Sequence, residues 1–494
     1  MKTLVLGCTL LLSGAAAWGQ DWPSLDARTR ALGGAGVAFA DGRGDSMFWN
    51  PATLAVGAEK PLDFSTGFAF SINAFVDAHV TGNVVGDVNH IFDQFEFFNF
   101  QQVQADFDAG TVNAADLQNV MQIIDSLNRL NTPGKGVVVG AGASFNLRVG
   151  PFGLFVNALA NIGANPVVDF TGVGFSTNTA FFGAVPAATP PPTPAESNLS
   201  LALQNRAGLS ATDADNLAFQ ARSALGNAAI SNPSFVNALV ALAQGTGGAT
   251  NLYNSPSGVF LRALAQAEAG ISFALPLLPT LLDVGISVKE IISETSFRFL
   301  SYAEQDSGTS VGDAIRDDLK NNRVRSSNFN FDLGARVMPL EWLTVALAAR
   351  NLVPMDIKYA GPGKMHMDPQ VRLGAMASAL GFLKFGIDID LVENESPVLP
   401  GYKTRQFGAG LEFDIPVFKI RIGYAENLAF SSDHGRLTAG FGFDIAGFVI
   451  DLGAQASLNE VTYQSAKLDG SKSEKTFMSD WVSVGITIGV NLPF

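Results

Sequence analysis

A chain of 494 residues that carries 51 Gly and 38 Phe but only 4 His, 1 Cys and 15% charged residues does not have the residue mix of an ordinary soluble enzyme. Small residues for an inner face and aromatic or aliphatic ones for an outer face suit a large closed sheet in lipid, which uses such a length in one domain. A formal net charge of −14 argues against nucleic acid as a partner. The mean hydropathy of +0.22 is modest, as expected when alternating strands average an apolar and a polar face.

In chain order, Met1-Lys2-Thr3, the apolar run Leu4 to Leu12 and the small residues Ser13 to Gly19 form the three parts of a secretory signal, with cleavage expected after Ala17 or Gly19. Cys8 leaves with it, so the mature protein is expected to have no disulfide and no thiolate metal site. No later run of about twenty apolar residues follows, so any membrane crossing must be made by strands.

Next comes Arg30-Ala-Leu-Gly-Gly-Ala-Gly-Val-Ala-Phe-Ala-Asp41, continued to Asn50-Pro51-Ala52-Thr53-Leu54-Ala55. Its small residues allow close packing against a surrounding wall. A Gly-Gly-Ala-Gly-Val-Ala-x-Ala-Asp run leading to an aromatic-Asn-Pro-Ala resembles the N-terminal hatch of the FadL-type outer-membrane transport barrels, and looks closest to the branch named after the plasmid-transfer protein TraF. The resemblance implies that residues 20–61 form a plug and 62–494 the barrel. It also implies that Asn50, Pro51 and Ala52 act as a gate that moves when a hydrophobic ligand binds. Asn caps turns and Pro fixes φ, so these residues also read as a rigid elbow. Phe39, Phe48 and Trp49 are candidate apolar ligand contacts, with packing as the alternative.

Beyond the plug the signal is period-two alternation. In the last segment Val482, Val484, Ile486, Ile488, Val490, Leu492 and Phe494 lie on one face and Ser483, Gly485, Thr487, Gly489 and Asn491 on the other. The terminal Phe494 resembles the signature that outer-membrane barrels present to the barrel assembly machinery. Similar segments at 62–78, 136–149, 151–162, 263–275, 281–300, 326–338, 342–353, 369–380, 382–392, 403–415, 417–426, 436–445 and 448–463 bring the expected total to fourteen. Short connections alternate with long ones throughout, the long ones being 79–135, 163–262, 301–325, 354–368, 393–402, 427–435 and 464–479. An up-and-down antiparallel transmembrane β-barrel requires this alternation, with tight turns at the periplasmic rim and long loops outside. Both termini are then periplasmic. Residues 101–130, 196–226 and 233–244 have helical patterns, so the two largest outer loops are expected to carry helices that could cap the outer mouth.

Few residues point to chemistry. His79, His90, His366 and His434 fall in or beside outer loops with no ligand spacing, so they read as solvated and no metal or other cofactor is expected. Ser432-Asp433-His434 places three adjacent residues pointing different ways, which a nucleophile, base and orienting acid cannot do, and no enzyme activity is expected. Arg43-Gly44-Asp45-Ser46 matches an adhesion tetrapeptide, but a periplasm-proximal plug cannot reach a receptor. The expected inner face includes Asp332, Arg336, Lys384, Asp388, Asp390, Glu412, Asp414, Lys419, Arg421, Arg436, Asp444 and Asp451. These must pair across strands, bind the plug or line water. Arg28 and Arg30 are expected to take acidic wall partners, and Asp41 and Asp45 basic ones.

The function implied by the resemblance is passive transport of hydrophobic small molecules across the outer membrane. The expected partners are membrane lipid, the hydrophobic ligand and the assembly machinery, with no nucleic acid. The alternative is an outer-membrane docking scaffold of a secretion or conjugation system, which would need exposed apolar patches on the loop helices.

Overall fold

The computed structural model describes residues 22–39, 42–87, 114–168, 191–244, 257–301, 317–318, 320–359, 364–463 and 476–492. The signal segment, Asp41, His90 and Phe494 lie outside the described residues.

Fourteen antiparallel strands close into one barrel: β1 (Phe68–Thr81), β2 (Gly136–Val149), β3 (Phe152–Val167), β4 (Gly258–Leu278), β5 (Leu282–Ser301), β6 (Val324–Leu340), β7 (Leu343–Arg350), β8 (Gln370–Ala379), β9 (Leu383–Asp390), β10 (Gln406–Asp414), β11 (Phe418–Asn427), β12 (Arg436–Ile445), β13 (Phe448–Ser457) and β14 (Trp481–Leu492). Each strand pairs with its sequence neighbours, and β14 closes on β1 with Leu492 opposite Phe68 and Trp481 opposite His79. The alternating side chains explain why closure works. On β1, Ile72 and Val76 face outward, 52% and 60% exposed, while Ser71 and Asn73 on either side of Ile72 are buried inside. On β14, Val484 and Ile488 face out and Ser483 and Thr487 are buried. Such an apolar outer belt is stable only against lipid, so the barrel is of the outer-membrane type.

The expected strands all occur, with shifted ends. Asp63 caps a short 3-10 turn at Phe64–Thr66, and Gly67 with φ 102° turns the chain before β1 starts. At its other end β1 runs on to Thr81. Two expected strands are cut short because their long-loop ends form hairpins of their own. Lys403–Thr404 pairs with Asn394–Glu395, and Glu460–Tyr463 with Thr476–Ser479. A further hairpin joins Met355–Lys358 to Lys364–Met367.

The 355–367 hairpin and the 394–404 segment fold inward. Met355, Ile357, Met365 and Met367 of the first and Val398, Leu399 and Tyr402 of the second share one buried apolar cluster with the wall residues Val138, Leu264 and Ile291. The large loops carry helices: α3 (Ala114–Leu130) in the first, and α4 (Pro194–Ala207), α5 (Ala211–Ile230) and α6 (Pro233–Gln244) in the second, α1 and α2 being the short N-terminal helices Ala27–Ala31 and Ser46–Trp49. The helical pattern over 196–226 is divided at Gly208, a left-handed cap with φ 72°, while Thr193 and Glu196 form a capping box at its start. These four loop helices pack on one another around Met121, Leu203, Leu217 and Phe235, next to Val84 and Val168, which follow the C-terminal ends of β1 and β3.

Candidate functional site

The N-terminal segment lies inside the barrel. Helix α1 is capped by Asp26, whose carboxylate accepts from Thr29 N at 2.8 Å and from Trp49 Nε1 at 2.7 Å. Its remaining backbone groups go to the wall. Ala27 N donates to Thr487 Oγ1 at 3.0 Å, Gln455 donates to Arg30 O at 2.9 Å, and Thr438 donates to Ala31 O at 2.7 Å. Backbone polar groups of a buried helix must be satisfied, and here polar residues on β12, β13 and β14 do it. The following turn has Gly33 and Gly34 at φ 71° and 91°. Gly33 lies so close to the carbonyl of Tyr424 and to Gly408 that no side chain fits between segment and wall. Asp388 on β9 then accepts from Gly36 N at 2.8 Å and Val37 N at 2.9 Å.

The elbow residues are fully built in. Asn50, 0% exposed, accepts from Ala52 N at 3.0 Å through Oδ1 and donates from Nδ2 to Val37 O at 3.3 Å and Ala335 O at 3.2 Å. Pro51 opens the short 3-10 helix Pro51–Ala55, and Pro51 and Ala52 lie against Gly285 of β5. Arg148 on β2, which the sequence reading did not single out, clamps the same region. It donates to the carbonyls of Gly42 at 2.5 Å, Leu54 at 3.1 Å and Val56 at 3.2 Å.

Charge holds the segment on one side of the wall. Arg28 makes a two-pronged contact with Glu412, at 2.8 and 2.7 Å. Glu412 also accepts from Arg421 at 2.7 Å, and Arg421 donates to Asp451 at 2.6 Å. Asp451 in turn pairs with Arg43 of the segment. The chain of alternating charge continues outside this core through Lys384 and Asp414 at 2.8 Å, and through Lys419 to Asp444 at 3.3 Å. Arg30 is different. It donates to the Ser483 hydroxyl and the Ser24 carbonyl, both neutral groups, and its guanidinium sits over the Phe75 ring at 4.4 Å. Asp45 is buried at the start of α2.

Aromatic stacking holds the other side. Trp22 stacks on Trp49 with centroids 6.1 Å apart, and Phe48 meets Trp49 edge-on at 5.8 Å. Arg350 lies over Phe48 at 4.0 Å, and Arg372 over Trp22 at 4.8 Å. Behind them Lys289, 1% exposed, stands 3.0 Å from Asp332, while Arg350 donates to Glu268 at 2.7 Å. Arg372 reaches Asp390 at 2.6 Å, and Arg336 lies 3.3 Å from Asp283. Phe39 is buried over Gly386, with Arg28 above its ring at 5.2 Å.

Between the segment and the infolded 394–404 loop is a cavity of about 110 Å³. Trp22, Ser24 and Arg30 line it from one side and Pro397, Val398 and Tyr402 from the other, with Phe75, Leu159 and Trp481 on the wall. Phe39, Phe48, Trp49, Asn50, Pro51 and Ala52 are not among its lining residues; they pack between segment and wall. His79 corrects the reading of all four histidines as solvated. Because β1 extends to Thr81, His79 falls inside the lumen, 7% exposed and stacked on Trp481 at 4.0 Å. His366 lies between Asp356 at 2.7 Å and Asp368 at 3.2 Å, and His434 reaches Asp480 at 3.2 Å. Asp433 accepts instead from Tyr402 at 2.5 Å and Asn427 at 2.7 Å, so Ser432, Asp433 and His434 do not form a relay. Among the described residues no group of three or more His, Cys, Asp or Glu is placed to hold a metal.

In comparison with known proteins, no curated protein matches the chain in sequence. Among solved structures it is similar to the toluene transporter TbuX of Ralstonia pickettii, with 13% identity over 97% of this chain and 99% of that one and a TM-score of 0.44. The toluene transporter TodX of P. putida gives 10% identity, coverage of 97% and 100%, and a TM-score of 0.44. A Pseudomonas aeruginosa FadL homologue gives 10%, coverage of 97% and 100%, and 0.43. Residues 47–390 match the family model described as "F plasmid transfer operon, TraF, protein". That stretch runs from the elbow of the N-terminal segment through nine barrel strands, well over half of the chain, and the chain therefore belongs to this TraF family.

Proposed function

We propose that the protein is a passive outer-membrane channel for small hydrophobic molecules, with the plug expected over residues 20–61. The observation that carries this reading is the cavity held between the plug and the infolded 394–404 loop. Its volume of about 110 Å³ approaches the roughly 150 Å³ of an apolar cavity that takes benzene, and Trp22, Phe75, Leu159, Val398 and Trp481 give a single ring apolar surface beside charged groups such as Arg372 and Arg436. Burial in such a site is favourable without an energy source, at about 0.8 kcal/mol per methylene-sized group.

In this reading a ligand enters past the 394–404 loop and leaves when the plug shifts. Asn50, Pro51 and Ala52 form the gate elbow, and Arg28 and Arg43 are its ionic latches. The short-turn rim, where β1 begins and β14 ends, faces the periplasm, and Phe494 acts as the assembly signal. The docking alternative has less support. Among the described side chains of α3 to α6, Leu201 is the large apolar residue that stands out, at 54% exposed, and one such residue does not make a patch.

The test is toluene entry into liposomes holding the purified barrel, comparing wild type with a disulfide that ties the plug to the wall, Ala27→Cys with Thr487→Cys, where the Ala27 amide and the Thr487 hydroxyl already lie 3.0 Å apart. Saturable entry that stops when the disulfide forms and returns on reduction supports the reading. Entry equal to that of empty liposomes in both states overturns it.

A further inference from the structure

The loop that joins β9 to β10 lies across the lumen. These two strands are seven steps from β2 and β3 whichever way the barrel is followed, so a segment rooted on the first pair and touching the second crosses a full diameter. Residues 394–404 do this. The Val398 carbonyl occupies the place that a Cβ on Gly163 of β3 would take, and the Leu399 side chain crowds Gly136 of β2 in the same way. Gly163 pairs with Val138 and Arg262 in a regular ladder and has no left-handed φ to account for it. Glycine inside a strand marks the close approach of another backbone, and here that backbone is residue 398.

The crossing segment is braced within itself. Asn394–Glu395 pairs with Lys403–Thr404 at its root, Gly401 N donates to Glu395 at 2.7 Å, and Ser396 N donates to Tyr402 O at 2.8 Å. A loop bonded internally can swing as one body about its root. At the far side Gly134 N donates to Pro400 O at 2.9 Å, and the Tyr359 hydroxyl donates to Pro397 O. The Tyr402 hydroxyl donates to Asp433 at 2.5 Å. Val398 and Leu399 are buried against Val138 and the 355–367 hairpin. Ser396, Pro397, Val398 and Tyr402 form one side of the cavity whose other side is Trp22 and Ser24 of the N-terminal segment.

We infer that residues 394–404 are a strap that shuts the lumen at its long-loop mouth, a gate separate from the N-terminal segment, with Gly163 as its seat. Lifting the strap opens the cavity from that mouth while the segment stays docked. The inference goes beyond the channel reading, because it concerns access to the cavity and not passage past the segment. Gly163→Val is the direct way to unseat the strap. Valine suits a strand, and the ladders on both sides of Gly163 hold β3 in place, so the strap is the partner that yields.

The experiment places one thiol in the cavity, Ser24→Cys in a Cys8→Ser background, and follows its reaction with a small charged methanethiosulfonate in the detergent-purified full chain. The labelling rate scales with the fraction of molecules whose cavity is open, so adding Gly163→Val is expected to raise it about tenfold or more. Ala160→Val, on the exposed outer face of the same strand, is the control and is expected to leave the rate unchanged. Equal rates with and without Gly163→Val overturn the inference. An equal rise in Ala160→Val also overturns it, since the barrel and not the strap has then loosened. Should Gly163→Val fail to fold, Tyr402→Phe decides: it keeps the ring and removes the bond to Asp433, and a rate no faster than that of Ser24→Cys alone overturns the inference. Toluene entry is read separately, so failure of the channel reading leaves this result as it stands.

Discussion

Arg28 and Glu412 lie 384 positions apart in sequence and 2.7 Å apart in space. Glu412 is fully buried and shared with Arg421, which in turn holds Asp451 and through it Arg43. Two cations of the N-terminal segment and one of the wall thus share two wall carboxylates. Desolvating so many charges is costly, so the network is better read as a device for fixing the segment's position than as a source of net stability.

Glu412→Gln keeps the shape and removes the charge that Arg28 and Arg421 share. Breaking a buried pair on one side only is expected to cost about 3–5 kcal/mol. The cost should fall on docking of the segment, since the strand ladder of β10 is untouched. The expected outcome is a folded barrel whose segment is cut by added protease and whose single-channel conductance rises. A variant as protease-resistant as wild type would contradict this account.

Gly33→Ala meets two obstacles at once. The left-handed φ costs an alanine about 1–2 kcal/mol, and its methyl has no room beside the Tyr424 carbonyl. Gly57, also at positive φ but with no neighbour near its Cβ position, is the control: Gly57→Ala has the conformational cost alone. Urea-induced unfolding in detergent should rank Gly33→Ala as clearly the less stable of the two.

Arg148→Met keeps the apolar stem and removes the donors to Gly42, Leu54 and Val56. Each buried carbonyl left without its partner costs about 1–3 kcal/mol. Amide exchange should therefore quicken over residues 42–56 while the protection of β2 itself is kept. Uniform loss of protection throughout β2 would mean that Arg148 supports the strand rather than the segment.

The hairpin 355–367 carries a pH signal. The Asp356 carboxylate bonded to His366, with Asp368 beside it, raises the His366 pKa above its ordinary value of 6.5. A group raised in the folded state contributes its stability in full below the unfolded value and loses it as pH rises through the folded one. Protection factors of the Met355–Met367 amides, corrected for intrinsic exchange, should accordingly be higher at pH 5.5 than at pH 8. His366→Gln should remove the difference. The side chain is 45% exposed, so the effect is small and reduced by salt.

The strands were the most legible part of the molecule. Val482 to Leu492 alternates so regularly that its pairing faces follow from the residues alone, and the short and long connections alternate as an up-and-down barrel demands. The lining of the cavity was much less legible. Trp22 precedes the glycine-rich run and carries no pattern, Arg148 is one arginine in an otherwise ordinary strand, and His79 lay just past an expected strand end. Period-two continuation by a single residue would have turned His79 inward. Val398, Leu399 and Tyr402 sit among prolines and glycines of a loop, where only the tertiary cluster with Val138 and Ile291 decides that they fold in. Local periodicity reports which face of a strand is wet; it does not report which loop returns to the lumen.

The hydrogen bond from Ala27 to Thr487 spans 460 positions of the chain, which has a bearing on the order of assembly. The segment emerges first during synthesis, yet the groups that satisfy its backbone, Thr438, Gln455 and Thr487, belong to the last three strands. Contacts so distant in sequence form late. Helix α1 therefore has no place to settle until β14 has reached β1, and docking of the segment follows closure of the sheet rather than templating it.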